Sequence, residues 1–357
     1  RWRFIGAYLI YGQWKQAIVA GIRALAQAYI VTGEAAYAHK AGVLLDRVAD
    51  LYPTHDFKEQ GLVYEQPGAA GYVSTWHDAC EETREIVLAY DQVFDALRQD
   101  HALVPFLAEK AKQFKLENPK ASFADVQRNI EDRLLRDALT NAHKIHSNYP
   151  RTPIALALIN TVLAWPANCE EVYAMIDEML AKATAVDGVT GEKGLSGYSS
   201  YTIAGLAQFL AQYAELQPGF LEQMLKRHPA LAKTYRFHAE TWFNQRYYPL
   251  SGDCGGFATP CSSYAGAYFS RAASPTLPSL YTFFWRLYQA TRDPVYVQIL
   301  YLANGSTIEG LPHDFYADDP QAFQTKVSQV IAREGPTPKI GSVNKQQWHI
   351  ALLRSGQ

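Results

Sequence analysis

The sequence predicts an all-α fold of paired antiparallel helices, arranged as an incomplete α/α toroid or as a helical solenoid. Three observations predict it. Apolar residues recur at helical spacing through most of the chain. Strand signals are almost absent before Trp348. Long Gly- and Pro-rich loops recur between successive helix pairs, as in layered helical folds. No strict sequence period is visible, which counts against a regular repeat array. The 357 residues can bury a large core, as one big domain or two smaller ones.

Taken in order, Trp14 to Tyr52 holds two helices. Ile18, Ile22, Leu25, Ala26 and Tyr29 share one face of the first, and Thr32-Gly33 separates it from the second. Gly61 to Thr75 is a Gly/Pro/Tyr-rich loop without periodicity, and Trp76-His77-Asp78 closes it. Ile86, Tyr90 and Val93 mark a helix over Glu82–Leu97, followed by helices over Val104–Phe114 and Phe123–His146. After a break at Asn148-Tyr149-Pro150 come Ile154–Leu163 and Val172–Ala183. A Gly/Ser-rich stretch, DGVTGEKGLSGYSSYTIAGL, then opens a helix to Leu216, with Ser196, Ser199 or Ser200 as its cap. Phe220–Leu225 and Pro229–Arg246 lead into a second glycine-rich loop, YYPLSGDCGGFATP. Leu280–Thr291, Val295–Leu302 and Gln321–Ile331 complete the helices. The apolar run WHIALL after a polar linker switches to a strand pattern.

Composition narrows the function classes. A formal net charge of −2 carries no electrostatic footprint for nucleic acid. The wholly apolar runs are far shorter than a membrane span. Cys80, Cys169, Cys254 and Cys261 show no metal-ligand spacing, so no metal or cofactor is expected. Cys254 and Cys261 would be able to pair after export, and buried free thiols fit equally well. The aromatic share of 13% suits a carbohydrate-binding cleft, although large helical cores also consume aromatics. RWRFIGAYLIYGQW has no initiator Met and reads as mid-helix, and the chain ends on a strand-like stretch, so both ends are expected to continue in a longer protein.

Two stretches gather chemistry. The first crowds His143, His146, Asn148, Tyr149 and Arg151 into one short segment, more hydrogen-bonding groups than a helix cap requires. The second places Tyr198 and Tyr201 three residues apart at a helix start behind a glycine-rich loop. Packing with a hydroxyl in water is the commoner use of such tyrosines. In a toroid the two loops reach the same rim, with Trp76 and His77 at the edge of the cleft. The loop carrying Arg246, Tyr247, Tyr248 and Asp253 would lie opposite, its glycines allowing close backbone approach to a ligand. The GDCGG string there resembles a protease signature, but Cys254 stands where a serine nucleophile belongs. His77-Asp78 as a general-base pair is also disfavoured, since adjacent helical residues face apart.

Together, ALAQAYIVTGEAAYAHKAGVLLDRVADLYP, LAYDQVFDAL, SNYPRTPIALAL, GYSSYTIAGL, YYPLSGDCGG and HIALLRSG resemble the heparinase II/III-like and alginate-lyase-like polysaccharide lyases. The matches are short, and they run in the right order over nearly the whole chain. The resemblance implies a toroid over residues 1–345 and the first strand of an antiparallel β-sandwich over 346–357. It implies β-elimination on a uronic-acid-containing polysaccharide, in the periplasm or outside the cell. An Asn neutralises the uronate carboxylate so that charge can build toward C5, and a Tyr transfers the proton. Asn148 matches that Asn, and Tyr201 fits the catalytic Tyr better than Tyr198. Tyr198, Tyr149, Arg151, His146, Trp76, His77, Arg246, Tyr248 and Asp253 are the expected substrate contacts.

Two departures from the family pattern stand out. Tyr149 follows the Asn where many relatives carry His, and KGLSGY replaces the richer EGSPxY form. A further His usually comes from the sandwich domain, the partner this chain is expected to need. Two other readings compete. A glycoside hydrolase on the same architecture would need paired carboxylates, for which Asp78, Asp187, Glu192 and Asp253 are the candidates. A noncatalytic glycan-binding toroid would need none.

Overall fold

A computed structural model describes residues 12–60, 69–243, 247–249, 251–253, 278–311 and 319–355. The described chain is mostly helical, with one small antiparallel sheet near its C-terminal end. It divides into two compact units, Arg1–Ile176 and Asp177–Gln357.

In the first unit a π-helical turn, Trp14–Val19, runs into α1 (Ala20–Thr32). Gly33 ends α1 in a left-handed conformation (φ 71°), its N–H returning to the Tyr29 carbonyl. Next are α2 (Ala35–Leu51), α3 (Trp76–Gln99) and α4 (Leu103–Phe114). α2 packs on both α1 and α3. Gly42 is what lets α2 approach α3, because a Cβ there would sit 2.4 Å from Leu97 Cδ2. α5 (Phe123–Ile130) starts with a reciprocal Ser122–Asp125 capping box and continues through Glu131–Arg136 to Asp137–Thr140. Arg133 reaches back from it to the carbonyls of Ala49 and Asp50, satisfying orphan acceptors at the end of α2. α6 (Arg151–Ala164) lies along α3. Ile22, Leu45, Val93, Ile130, Leu135 and Ile159 are among the fully buried side chains of this core.

Two boundaries move relative to the sequence reading. α3 begins at Trp76 rather than Glu82, so Trp76, His77 and Asp78 form its first turn instead of closing the loop before it. Thr75 is extended, its carbonyl accepts from Ala79 N–H, and Asp78 suits the positive end of the helix dipole. The helix expected to reach His146 stops at Thr140 and gives way to a short 3₁₀ turn, Ala142–Ile145.

One buried acid in this core titrates near neutrality. Glu82 on α3 accepts from Trp14 Nε1 at 2.8 Å and from Ser74 Oγ at 2.7 Å. Burial pushes its carboxyl up to about 7, helped by Asp78 and opposed by those two donors and by Lys15. A carboxyl raised in the folded state binds more protons there than in the unfolded chain. Its stabilising contribution is therefore complete below the ordinary value of 4.5 and is lost as pH rises through about 7. Glu82→Gln is expected to flatten the pH dependence of the first unit's unfolding midpoint across that window. An unchanged slope in the variant would remove Glu82 as its source.

α7 (Cys169–Ala183) contains the boundary between the units. The second unit continues with α8 (Ser200–Leu216), α9 (Phe220–Arg227), α10 (Ala230–Thr241), α11 (Pro278–Thr291), α12 (Val295–Ala303) and α13 (Pro320–Glu334). Its core is strongly aromatic, with Tyr235 edge-on to Phe283 and Tyr213 stacked on Phe220. α10 ends at Thr241 rather than Arg246, because Trp242 turns extended and Phe243 pairs with Tyr247 across a short bridge. The closing strand expected from Trp348 is half of a hairpin that starts earlier. β1 (Val343–Lys345) pairs antiparallel with β2 (Ile350–Leu352), and Trp348 lies in the turn between them. Among the described residues no helix is long and apolar enough to cross a membrane.

Candidate functional site

In the first unit, the start of α3 and the loop before α6 come together. His77 Nδ1 lies 2.7 Å from Ser147 Oγ, the residue immediately before Asn148. Thr152 staples this loop by accepting from Ser147 N–H at 2.8 Å and donating to the Ile145 carbonyl at 3.1 Å. Arg151 N–H closes the turn onto the Asn148 carbonyl at 2.9 Å. The loop is thus tied to α3 through Ser147 and braced by Thr152 and its own backbone, while Asn148 and Tyr149 are half-buried and His146 is exposed.

Charge is arranged around the same turn. Glu81, one turn into α3, pairs with Arg84 at 2.6 Å and approaches Arg151 at 4.0 Å. Trp76 is 43% exposed and holds a left-handed backbone (φ 53°), an unusual combination for a large aromatic. Cys80 is buried beneath, and burial with Glu81 beside it pushes its thiol up to about 12, so it is inert as a nucleophile. Asp78 binds Lys15 at 2.7 Å.

In the second unit the two glycine-rich loops are joined. Gly194 and Gly252 form an antiparallel bridge, Leu195 N–H donates to the Ser251 carbonyl at 2.9 Å, and Asp253 N–H donates to Lys193 at 2.9 Å. Gly252 is required at this crossing, since its φ is 77° and a Cβ would fall 2.1 Å from the Lys193 carbonyl oxygen. The chain then enters a π-helical turn, Leu195–Ser199, that runs directly into α8. Ser199 does not cap that helix through its side chain. Its buried hydroxyl instead turns back toward the Glu192 carbonyl and Thr190 Oγ1, both at 3.3 Å. Tyr198 is half-buried, with Lys193 Nζ 5.0 Å from its ring centre. Tyr201 occupies the first turn of α8. Its side chain lies outside the described residues, as do Arg246, Cys254 and Cys261.

Tyr248 is buried and stacks on Trp242, which makes it part of the packing beneath the loop, while Asp253 is exposed. Asn148 belongs to the first unit and Tyr201 to the second. The sequence reading missed one feature of this region. Val186-Asp187-Gly188-Val189 is a tight turn closed by reciprocal Val186–Val189 hydrogen bonds, with positive φ at both central residues. Asp-Gly is the dipeptide that such a turn favours, so the signal was in the sequence. Among the described residues no group of His, Cys, Asp and Glu could hold a metal ion. No family model, curated protein or solved structure matches the chain.

Proposed function

We propose that the chain is the helical part of a polysaccharide lyase that cleaves a uronic-acid-containing polymer by β-elimination, with its helices in an α/α toroid. The observation that carries the reading is the contact of His77 with Ser147, which sets an imidazole beside the Asn148 turn and its arginine. A uronate carboxylate needs neutral hydrogen-bond donors and a cation, and Asn148 and Arg151 are those groups. With charge drawn onto the carboxylate, the C5 proton becomes acidic enough for Tyr201 to remove, and the C4–O bond breaks as the C4–C5 double bond forms. On this reading Tyr149, His146 and Trp76 of the first unit are expected polymer contacts, as are Tyr198 of the second unit and Arg246 and Asp253 from its second glycine-rich loop. Tyr248 supports that loop from beneath.

The hydrolase alternative is less well supported. Asp187 is bound by backbone N–H groups of the C-terminal hairpin, and Asp78 by Lys15.

The test is ultraviolet absorbance of the unsaturated product when the full-length protein is given alginate, heparan-type and oligouronate substrates. Elimination leaves a conjugated double bond and hydrolysis does not. Asn148→Ala is expected to slow the reaction by about 10²–10³-fold, the usual loss for one donor to a developing oxyanion, with some loss of affinity. Reducing ends released without absorbance would establish hydrolysis. Binding without either product would establish a noncatalytic glycan binder.

A further inference from the structure

Within the second unit, hydrogen bonds among the described residues tie the hairpin β1–β2 to Asp187 and to the end of α10, both roots of the loops described above. At the first, Asp187 and Gln347 bind each other reciprocally. Asp187 N–H donates to Gln347 Oε1 at 2.7 Å, and Asp187 Oδ2 accepts from the backbone N–H groups of Gln347 at 2.8 Å and Trp348 at 3.2 Å. At the second, Lys345 Nζ on β1 binds Glu240 Oε2 at 2.5 Å, near the end of α10. Arg354 reinforces it by donating to the carbonyls of Glu240 at 2.8 Å and Trp242 at 3.1 Å.

From Asp187 the chain has little freedom before Tyr198. Gly188 is wedged against α10, where a Cβ would lie 2.9 Å from Lys233, and its carbonyl accepts from the Thr234 hydroxyl. Thr190 and Glu192 are then tied to Ser199, and Lys193 and Gly194 to the Ser251–Asp253 strand.

We infer that Asp187 is a positioning residue: through it the C-terminal hairpin sets the placement of the loop that carries Tyr198 and leads to Tyr201. The hairpin acts as a clamp across the two loop roots. Any domain continuing from β2 is mechanically connected to the tyrosine loop through this contact. The kinetic consequence rests on the lyase reading; the structural one does not.

The experiment compares the wild-type protein with Asp187→Gly, Asp187→Asn and Gln347→Ala by hydrogen exchange and by steady-state kinetics. Glycine accepts the left-handed backbone of position 187 (φ 54°) but adds backbone freedom as it removes the side chain, so Gln347→Ala, which leaves residue 187 intact, is the companion test; asparagine keeps an acceptor there. Exchange over 190–201 is expected to accelerate about ten-fold or more in Asp187→Gly, as follows from losing hydrogen bonds to a charged acceptor, and to stay near wild type in Asp187→Asn. α12 serves as the control and should not change. Gln347→Ala should loosen the same loop, and the double variant should exchange little faster than Asp187→Gly, because both changes open one contact. With a uronate polymer, Asp187→Gly should lower kcat with KM little altered, and Asp187→Asn should restore it. Unchanged exchange over 190–201 in Asp187→Gly and Gln347→Ala, with the hairpin itself loosened, would overturn the clamp. A wild-type protein that forms no unsaturated product would end the lyase reading and leave the exchange result to decide the clamp alone.

Discussion

Tyr201→Phe is expected to lower the rate of double-bond formation by about 10²–10⁴-fold, the usual contribution of a positioned acid or base, while leaving polymer binding largely intact. Phenylalanine keeps the ring and removes the one atom that can carry a proton. A free tyrosine has a pKa near 10, so its use as a base at neutral pH requires positive charge nearby. On the lyase reading the candidates for that charge are Arg151 and Arg246, with His143 or His146 as weaker ones. Tyr198→Phe should cost much less: Lys193 lies over the face of the Tyr198 ring, a contact that phenylalanine retains. Initial rates on several uronate polymers for both variants decide the assignment. Full activity in Tyr201→Phe refutes it, and equal losses in both variants would contradict the division of roles between the two phenols.

Helical periodicity was enough to read the element order, because a buried stripe such as Ile86, Tyr90 and Val93 can be satisfied only by a helix packed on its neighbours. Helix ends were less legible. Trp76, His77 and Asp78 look like loop residues, yet they form the first turn of α3, because backbone geometry at Thr75 and the helix dipole outweigh their low apolar content. The same shift places His77 beside Ser147, a proximity that no local pattern announces across 70 residues. Aromatic richness was ambiguous for a physical reason. Tyr90, Tyr213, Tyr235, Tyr248 and Tyr296 are all fully buried, so much of the tyrosine content serves the cores rather than a glycan surface. The Asp187-Gly188 turn was legible as a dipeptide, but its partner Gln347 lies 160 residues away and carries no signal of its own.

Lys120 shows the same limit in the most consequential way. It sits in a polar stretch, ENPKAS, that reads as an exposed loop, yet its side chain is wholly buried against two carboxylates on α2. Its ammonium donates to Asp46 Oδ1 at 2.6 Å and to Asp50 Oδ1 at 3.0 Å. Asn129 donates to Asp46 and Asp50 as well, and Asn118 to Asp50. Burial holds the Asp46 carboxyl above its ordinary range, with Lys120 as the main opposing influence. Removing the cation leaves Asp46 buried without its ion pair and Asp50 with only a longer one to Arg47 at 3.7 Å, a change that costs about 3–5 kcal/mol. A domain's whole stability is about 5–15 kcal/mol, so Lys120→Met is expected to lower the first unit's unfolding midpoint severely. The sign of the pH response follows from the acids left behind. Burial already raises the Asp46 carboxyl, and losing Lys120 removes its main opposing influence, so this acid binds more protons in the folded state; acid should partly restore the variant and rising pH should weaken it further. The Lys120→Met, Asp46→Asn, Asp50→Asn triple variant should recover much of the loss, since neutral amides no longer need the cation. Thermal unfolding of wild type, Lys120→Met and the triple variant across pH, read by hydrogen exchange over α2 and α5, measures this directly. A small loss in Lys120→Met, or a triple variant no better than the single one, would mean that the lysine contributes packing through its stem rather than charge.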